Sequence, residues 1–302
     1  MIVIGPEDRF DEVTRTIKAS PEWNMELVQH YDSATPQPVT VVEGLDRVIV
    51  CEQTPRTSML IEKLTELKMH GVRVETAARF FEHATGRVHV DELRPEWFVF
   101  SSGFENGPQK RLLKRAFDLA CASLLLILSL PAALIAAILI WMEGGGSVLF
   151  CQDRVGLHGE VFRIFKFRTM ISTPPGANPQ WTANGDRRIT AVGRFLRKFR
   201  IDELPQLLNV LRGEMSMVGP RPEQPYFVEL LAREIPYYHQ RHSIPPGLTG
   251  WAQVRYGYGA SIAEAKRKLE FDLFYVKHLS FWLDFAILFE TVKVVLVGQG
   301  AK

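Results

Sequence analysis

The sequence has few cysteines and no pattern that would join them. Cys51, Cys121 and Cys151 stand far apart among 302 residues, without a CxxC pair or a cluster of histidines. This spacing excludes a disulfide framework and a structural zinc site, and it suits a reducing compartment.

The chain also lacks the charge excess of a nucleic-acid-binding protein. Lysine and arginine number 36 against 34 acidic residues, a formal charge of +2, so no nucleic-acid partner is expected and any basic patch must be local. One such patch lies between residues 154 and 221. A secretory signal is not expected either, because Met1 leads directly into the strand-like IVIG.

The first hundred residues alternate short β-branched runs (IVIG, VTVV, RVIVCE, VRVE) with helical stretches such as 56–69. This rhythm predicts a small Rossmann-like, parallel-sheet domain over 1–100, with a regulatory or structural role. Its first turn, IGPEDRF, lacks the GxGxxG fingerprint, so a bound dinucleotide is not supported. Whether this domain binds another ligand stays open. The polar stretch SSGFENGPQK, 101–110, is the predicted linker.

A long apolar segment follows the linker. Leu119 to Met142 are 24 residues without a charge, about 36 Å as one helix against a hydrocarbon core of about 30 Å. Pro131 stands at the middle, where a proline bends or breaks a helix. The segment is therefore either a kinked spanning helix or a re-entrant hairpin over 111–142, broken at Pro131.

The charges on both sides favour the hairpin. Lys110, Arg111, Lys114 and Arg115 mark a cytoplasmic entry. A full crossing would place the basic residues after the segment on the outer side, although they belong to a stretch that looks catalytic. A buried helix pair in a soluble core is less in keeping with such uniform apolarity. The remainder, 143–302, is then a membrane-associated, mainly helical α/β catalytic domain.

Two adjacent acids are the first candidates for chemistry. Asp202 and Glu203 in FRIDELPQLL precede Pro205, which suits a first helical turn. Neighbouring residues can serve one centre only at a helix end or in a turn. Two carboxylates this close need a cation between them, either the arginines upstream or a divalent metal such as Mg²⁺, which would arrive with a phosphate-bearing substrate. One carboxylate could then attack phosphorus, whereas the ordinary alternative is an N-cap aspartate with an acidic first turn.

Basic residues occur in two nearby motifs. RIFKFRTM contains Arg163, Lys166 and Arg168, and VGPRPE holds Arg221 between two prolines. Guanidinium groups bind phosphate oxygens bidentately, and flanking prolines restrict the local backbone. Solvated charge on a strand face and a surface loop is the alternative interpretation.

Several motifs, in order, resemble the bacterial monotopic phosphoglycosyl transferases, the sugar transferases that begin exopolysaccharide and lipopolysaccharide assembly. They are KRAFDLA, the apolar stretch with its proline, DRVGLHGEVFRIFKFRTM, DELPQLLNVLRGEMSMVGPRPE and PPGLTGWAQV, within about 110–297. FFEHATGRVHVDELRPEWFVF further looks like the longer members, in which a Rossmann-like domain precedes the catalytic one.

The resemblance implies an activity. The family transfers a sugar 1-phosphate from a UDP-sugar to polyprenyl (undecaprenyl) phosphate and releases UMP, at the cytoplasmic face of the bacterial inner membrane. It uses Mg²⁺ and a covalent phosphosugar intermediate on the aspartate that corresponds to Asp202. The lipid bilayer is then a partner, and the oligomeric state, with a homodimer as one option, stays open.

The resemblance also implies residue roles. Glu203 would hold the metal and position the nucleophile, and Arg197 and Arg221 would bind phosphate. Lys166 and Arg168 would line the same site. Two residues are weaker candidates: Arg163, and Asp272 in EFDLFYV, which as easily is an acid on a helix surface.

The chain departs from the family in two places. Many members have a serine directly before the hairpin proline, where this chain has Leu130, with Ser129 one residue earlier. Longer members usually begin with several transmembrane helices, and none is expected here before residue 100, which indicates either a shortened natural form or a part of a longer protein. A non-catalytic membrane scaffold of a polysaccharide export complex is the alternative function. The sequence does not identify the sugar.

Overall fold

The computed structural model describes residues 1–19, 25–27, 29–31, 44–51, 57–93, 95–104, 107–144, 146–171, 186, 188–256 and 261–297. The chain forms two compact units, Met1–Glu92 and Leu93–Lys302. The division lies earlier than the predicted boundary at residue 100. The second unit therefore includes the end of the predicted first domain and the whole of the predicted linker, 101–110, whose role as a linker stays a prediction.

The first unit contains a four-stranded parallel sheet in the order β2-β1-β3-β4, which confirms the predicted α/β class. The predicted strand at 39–42 lies outside the described residues. The strands are β1 (Ile2–Ile4), β2 (Gln29–Tyr31), β3 (Arg47–Val50) and β4 (Arg73–Thr76).

In the described part of this unit, three helices cover the sheet on both faces. Val3 packs with α1 and α3, whereas its neighbour Ile2 packs with α2, because successive side chains of a strand point to opposite faces. The first turn of α1 carries Glu7 and Asp8, and acids at a helix N-terminus disfavour a bound phosphate. The helices are α1 (Glu7–Lys18), α2 (Ser58–Met69) and α3 (Ala77–Thr85).

The second unit is mainly helical, with two small two-stranded sheets. Strands β5 (Leu149–Val155) and β6 (Val161–Phe167) form an antiparallel hairpin, and β7 (Ser216–Val218) pairs in parallel with β8 (Gly247–Thr249). The helices are α4 (Pro95–Phe100), α5 (Pro108–Glu143), α6 (Ala191–Lys198), α7 (Leu207–Arg212), α8 (Pro225–Glu234), α9 (Trp251–Arg255), α10 (Ile262–Lys277) and α11 (Phe281–Val297).

Helix α5 contains the apolar segment and continues through Pro131. A proline φ near −65° is compatible with a helix, so the ring removes one backbone bond without forcing helical geometry to end. The predicted break at Pro131 is thus absent from the backbone of α5. Over 18 residues the mean hydropathy is 2.7 and 11% of the residues are buried, so α5 could cross a membrane by length and composition.

The N-terminal end of α5 is bound to the body of the second unit. Arg115 donates from Nη1 to the carbonyl of Val210, at 2.5 Å, and from Nη2 to that of Leu211, at 2.8 Å. Asp118 accepts a hydrogen bond from the amide of Met217, at 3.1 Å. The KRAFDLA motif therefore attaches the start of α5 to α7 and β7.

The C-terminal end of α5 is bound to the same body. Arg168 donates from Nη2 to the carbonyls of Ile140, at 3.1 Å, and Gly144. Glu143 accepts a hydrogen bond from the amide of Val192 in the first turn of α6, at 3.2 Å. Exposed apolar side chains nevertheless extend along α5, from Leu112 and Leu113 near its start to Trp141 and Met142 near its end.

Candidate active site

The two adjacent acids lie in a 3₁₀ helix, Ile201–Gln206, between α6 and α7. Arg200 has a left-handed conformation (φ 54°) and turns the chain out of α6. Asp202 and Glu203 are both largely buried, with 9% and 7% of their surface exposed. A tight turn of this kind places two neighbouring side chains near one centre, which an α-helix interior would not do.

Three cations surround Glu203. Arg221 Nη2 lies 2.7 Å and Lys166 Nζ 3.2 Å from Glu203 Oε1, and Arg200 Nη1 lies 3.6 Å from Oε2. Burial opposes ionisation of Glu203, but the charges of these three residues hold its pKa well below the usual range. Glu203 is therefore a permanently charged acceptor.

Asp202 has different surroundings. Among the described residues, none makes a hydrogen bond or an ion pair with its carboxylate. Burial and the neighbouring charge of Glu203 raise the pKa of Asp202, while Lys166, Arg197 and Arg221 act in the opposite direction at longer range. The carboxylate thus has oxygens free to react, beside cations that would attract a phosphate.

The lysine of this cluster is delivered by β6. The side chain of Asn209 holds the strand to α7: Oδ1 accepts from the amide of Phe165, at 3.2 Å, and Nδ2 donates to the carbonyl of Arg163, at 2.8 Å. Alternation along β6 then directs Lys166 toward the 3₁₀ helix. Arg163 lies on the opposite face, where its side chain is 67% exposed and 3.5 Å from Asp153.

The loop after β7 delivers Arg221. Two backbone hydrogen bonds fix this loop. The amide of Gly219 donates to the carbonyl of Thr249, at 2.9 Å, and the amide of Gly247 donates to the carbonyl of Pro220, at 2.9 Å. A Cβ on Gly219 would lie 2.5 Å from the carbonyl oxygen of Pro245. The motifs VGPRPE and PPGLTGW therefore form one structure.

Two arginines that were not among the predicted site residues hold the same loop. Arg241 Nη2 donates to the carbonyl of Arg221, at 3.0 Å, and Arg154 Nη1 to that of Pro222, at 3.1 Å. Arg241 also forms a buried ion pair with Asp272, at 2.7 Å. Asp272 thus supports the loop through Arg241 and does not touch the acid pair.

The predicted phosphate-binding residues divide into three groups. Lys166 and Arg221 contact Glu203 directly, and Arg197, in the last turn of α6, acts on Asp202 through its charge. Arg168 lies elsewhere: β6 ends at Phe167, so the alternation stops before Arg168, and its guanidinium contacts the C-terminal carbonyls of α5.

A metal site built by side chains alone is not evident. Among the described residues, no group of three or more histidine, cysteine, aspartate or glutamate side chains could hold an ion. Glu203 already faces three cations, whereas Asp202 does not. Mg²⁺ in proteins needs only one or two carboxylates when substrate phosphates supply further ligands, so this pair fits an ion that arrives with a diphosphate.

Known proteins match most of this chain in sequence. The family model described as bacterial sugar transferase matches residues 109–298. Over 221 residues the chain is 43% identical to the UDP-N-acetylgalactosamine-undecaprenyl-phosphate N-acetylgalactosaminephosphotransferase of Aeromonas hydrophila, which covers 73% of this chain and 52% of that protein.

Two further relatives carry other sugars in their names. The UDP-glucose:undecaprenyl-phosphate glucose-1-phosphate transferase of Caulobacter vibrioides is 43% identical over 63% of this chain and 72% of its own length. The undecaprenyl-phosphate galactose phosphotransferase of Salmonella typhimurium is 40% identical over 63% of this chain and 42% of its own length. The chain spans about half the length of the Aeromonas hydrophila relative. With its family match covering most of the second unit, the chain belongs to the bacterial sugar transferases.

Proposed function

We propose that this protein transfers a sugar 1-phosphate from a UDP-sugar to polyprenyl phosphate, giving the polyprenyl-diphosphate sugar and UMP. The observation that carries the proposal is the carboxylate of Asp202, which has no partner within the part of the chain that the structure describes and lies beside a glutamate that three cations hold in place. The names of the relatives, which join UDP-sugars to undecaprenyl phosphate, support the same chemistry.

The first step is attack by an Asp202 oxygen on the sugar-bearing phosphorus of the donor. A new bond forms between that oxygen and phosphorus, the bond from phosphorus to the bridging oxygen breaks, and UMP leaves with the electron pair. Lys166, Arg197 and Arg221 bind the phosphate oxygens and stabilise the charge that develops on them.

In the second step the acceptor phosphate attacks the same phosphorus. An oxygen of polyprenyl phosphate forms the new bond, the bond to Asp202 breaks, and the free carboxylate is restored. Because UMP departs first, the two anionic substrates never share the cationic site, and their mutual repulsion is avoided.

Magnesium is part of the proposal. Asp202 and Glu203 would hold the ion together with the donor diphosphate, and the ion would neutralise phosphate charge when bound. As the donor enters, Lys166 and Arg221 can give up their contacts with the Glu203 carboxylate and bind phosphate oxygens, since both cations form charge-assisted hydrogen bonds with anions. Chelation is then expected to stop turnover.

We also propose that α5 enters and leaves the membrane by one face, at the cytoplasmic side of the bacterial inner membrane. Both ends of the helix are hydrogen-bonded to the same body, and Asn209 joins the elements that receive them. UDP-sugar stays in water and polyprenyl phosphate in the bilayer, so the reacting phosphorus belongs at the headgroup level. The polyprenyl-diphosphate sugar would then begin exopolysaccharide or lipopolysaccharide assembly.

The test of this function is the substitution Asp202→Asn, which preserves size but removes the attacking oxygen's charge. We expect UMP release from UDP-sugar and polyprenyl phosphate to fall by about 10³-fold or more. Arg163→Gln, on the exposed face of β6, is the matched control and should retain activity. Near-normal UMP release by Asp202→Asn would refute the assigned nucleophile.

Intact mass spectrometry separates the enzyme from a silent scaffold. The protein incubated with UDP-sugar and Mg²⁺ alone should gain the mass of one sugar phosphate, and Asp202→Asn should gain none. A protein that neither forms this adduct nor releases UMP with any donor and polyprenyl phosphate would favour the non-catalytic scaffold instead.

A further inference from the structure

The outer face of α6 combines aromatic and basic side chains. Phe195 and Phe199, the residue that ends the helix, are 55% and 36% exposed, and Arg194 and Lys198 are exposed as well. Among the described residues, neither of these two cations forms a hydrogen bond or an ion pair; Lys198 Nζ lies 5.5 Å from the ring centre of Phe199. These four residues are called the outer face of α6 below.

The spacing of residues in α6 explains this face. Residues four apart are neighbours on a helix surface, so the two basic residues form one stripe and the two aromatic residues form another beside it. Leu196, which is only 1% exposed, lies on the opposite side. The stretch AVGRFLRKF, 191–199, contains three basic residues and no acid. No charge within α6 therefore offsets the positive charge of the basic stripe.

The inner side of α6 fixes its level along the membrane helix. Buried Leu196 belongs to one apolar cluster with Ala136 and Ile140 of α5. Ile140 precedes Trp141, which is 73% exposed, and tryptophan is enriched at the level of lipid headgroups. The end of α5 at Glu143 lies about 4.5 Å beyond Ile140 along the helix axis. The packing thus places α6 where α5 meets the headgroup region.

An anionic lipid surface suits the outer face better than a protein partner. Interfacial helices bury aromatic side chains about 5–10 Å into the boundary between headgroups and acyl chains, and they keep lysine and arginine on the polar side. The aromatic stripe of α6 lies between the basic stripe and the side of Leu196, so the rings are the part of the outer face nearest to α5. Lysine is depleted in protein–protein interfaces, and a zwitterionic lipid surface offers the two cations no net negative charge.

We propose that the outer face of α6 binds a surface of anionic phospholipids, with its phenylalanines among the upper acyl chains and with Arg194 and Lys198 on the headgroup phosphates. This interaction goes beyond the transferase reaction, but it rests on the proposed entry of α5 into the membrane. Helix α6 ends at Lys198, four residues before Asp202. Lipid contact at α6 therefore holds the acid pair at the level where an acceptor phosphate lies.

A fluorescent reporter tests whether α6 contacts the membrane. In a background with the three native cysteines replaced by alanine, Ala191→Cys carries a bimane label; residue 191 is exposed and lies between the two stripes. Glu229→Cys, on the exposed side of α8, is the control reporter, and Ile127→Cys reports the middle of α5. Each protein is placed in nanodiscs of phosphatidylcholine with or without phosphatidylglycerol, in the absence of polyprenyl phosphate.

Lipids that carry a quencher at headgroup level should quench the label at residue 191 strongly in phosphatidylglycerol discs and less in neutral discs. The label at residue 229 should stay unquenched. Quenching at residue 127 by a quencher in the acyl chains, without quenching at 191, would overturn the lipid surface of α6 alone. If neither label is quenched, the membrane arrangement of α5 fails as well. A response at 191 that requires added polyprenyl phosphate would overturn the proposal and assign the face to the acceptor.

Titration with phosphatidylglycerol in neutral detergent micelles measures the contribution of the two charges. Arg194→Gln and Lys198→Gln should each weaken the apparent affinity, followed with the label at residue 191, by about fivefold. The double variant Arg194→Lys, Lys198→Arg, which preserves both charges, and Arg233→Gln, on the exposed side of α8, should bind like the parent. Unchanged affinity in both glutamine variants of α6, an equal response to phosphatidylcholine, or the same loss in Arg233→Gln would overturn the anionic lipid surface.

Discussion

The acid pair shows how two neighbouring residues acquire opposite properties from the same turn. Glu203 accepts contacts from Arg221, Lys166 and Arg200, and its pKa lies well below the usual range. The pKa of Asp202 is raised by burial and by that fixed negative charge. A residue kept at a cost in folding free energy, with no partner among the described residues, is typical of a functional group.

This asymmetry makes a prediction about stability. Because the folded state raises the pKa of Asp202, ionised Asp202 destabilises the fold above its unfolded pKa of about 3.9. Asp202→Asn should therefore raise the midpoint of thermal unfolding at pH 7, with a gain that shrinks as the pH falls through the folded pKa. Differential scanning fluorimetry in detergent measures it; a lower midpoint at pH 7 would contradict the assignment.

Glu203→Gln is the opposite case. The pKa of Glu203 is lowered, so its charge stabilises the fold above its unfolded pKa of about 4.3, and this contribution is lost as the pH falls through the folded pKa. Removing one partner of a buried charge cluster costs about 3 to 5 kcal/mol. Unfolding by denaturant at pH 7 should show a loss of this order, and an unchanged midpoint would show that the cations do not depend on Glu203.

The sequence predicts the reacting residues better than their supports. Asp202, Glu203 and Arg221 stand in short motifs whose residue types imply phosphate chemistry, and the structure brings them together. Arg241 and Arg154 carry no such signal, because each acts through a backbone carbonyl distant in sequence. Every residue has a backbone carbonyl, so the type of the residue that accepts such a hydrogen bond does not reveal the contact.

At the scale of elements, the pairing of β7 with β8 positions Arg221. The two strands are three residues each and stand far apart in sequence, so neither alternation nor a turn signal predicts that they pair. The glycines that flank them allow the backbones to approach closely: a Cβ on Gly219 would lie 2.5 Å from the carbonyl oxygen of Pro245 and 2.8 Å from the amide nitrogen of Gly247.

Gly219→Ala should therefore act through Arg221. The added methyl group meets backbone atoms, which cannot rotate away, so the loop must shift. A misplacement of about 1 Å can cost about 10²-fold in rate, and we expect kcat/KM for UMP release to fall by roughly this factor. Gly107→Ala, where nothing lies within 4 Å of the new Cβ, is the control. In an Arg221→Ala background Gly219→Ala should add little; a full additional loss would mean that the glycine acts elsewhere.

Other elements differ from the expected pattern for physical reasons. Strand β2, Gln29–Tyr31, has no β-branched residue, and its place at the sheet edge next to β1 decides its conformation. Arg163, Lys166 and Arg168 look like one basic row in sequence. The period of two sends Arg163 to the other face, and the end of β6 frees Arg168 to contact α5.

At the scale of the second unit, α5 is the element on which the membrane arrangement depends. Its apolar middle is exposed, with Leu124, Ile127, Leu128, Leu134 and Ile135 all more than half exposed. Its two ends are hydrogen-bonded to the same body, by Arg115 of α5 itself at one end and by Arg168, which follows β6, at the other. A body attached to both ends cannot have the bilayer between them, so a single crossing would break one set of these hydrogen bonds.

Cysteine labelling tests this directly. In a background with Cys51 and Cys121 replaced by alanine, native Cys151, which is exposed on β5, reports the C-terminal side of α5. A second protein carries Gln109→Cys as its single cysteine and reports the N-terminal side. With a membrane-impermeant maleimide, both should be protected in intact bacterial spheroplasts and both should react in inverted inner-membrane vesicles. Reaction of one from each side would establish a spanning helix. The Arg115 contacts would then have to be broken in the membrane, because Arg115 and the carbonyls of Val210 and Leu211 would lie on opposite sides of about 30 Å of hydrocarbon.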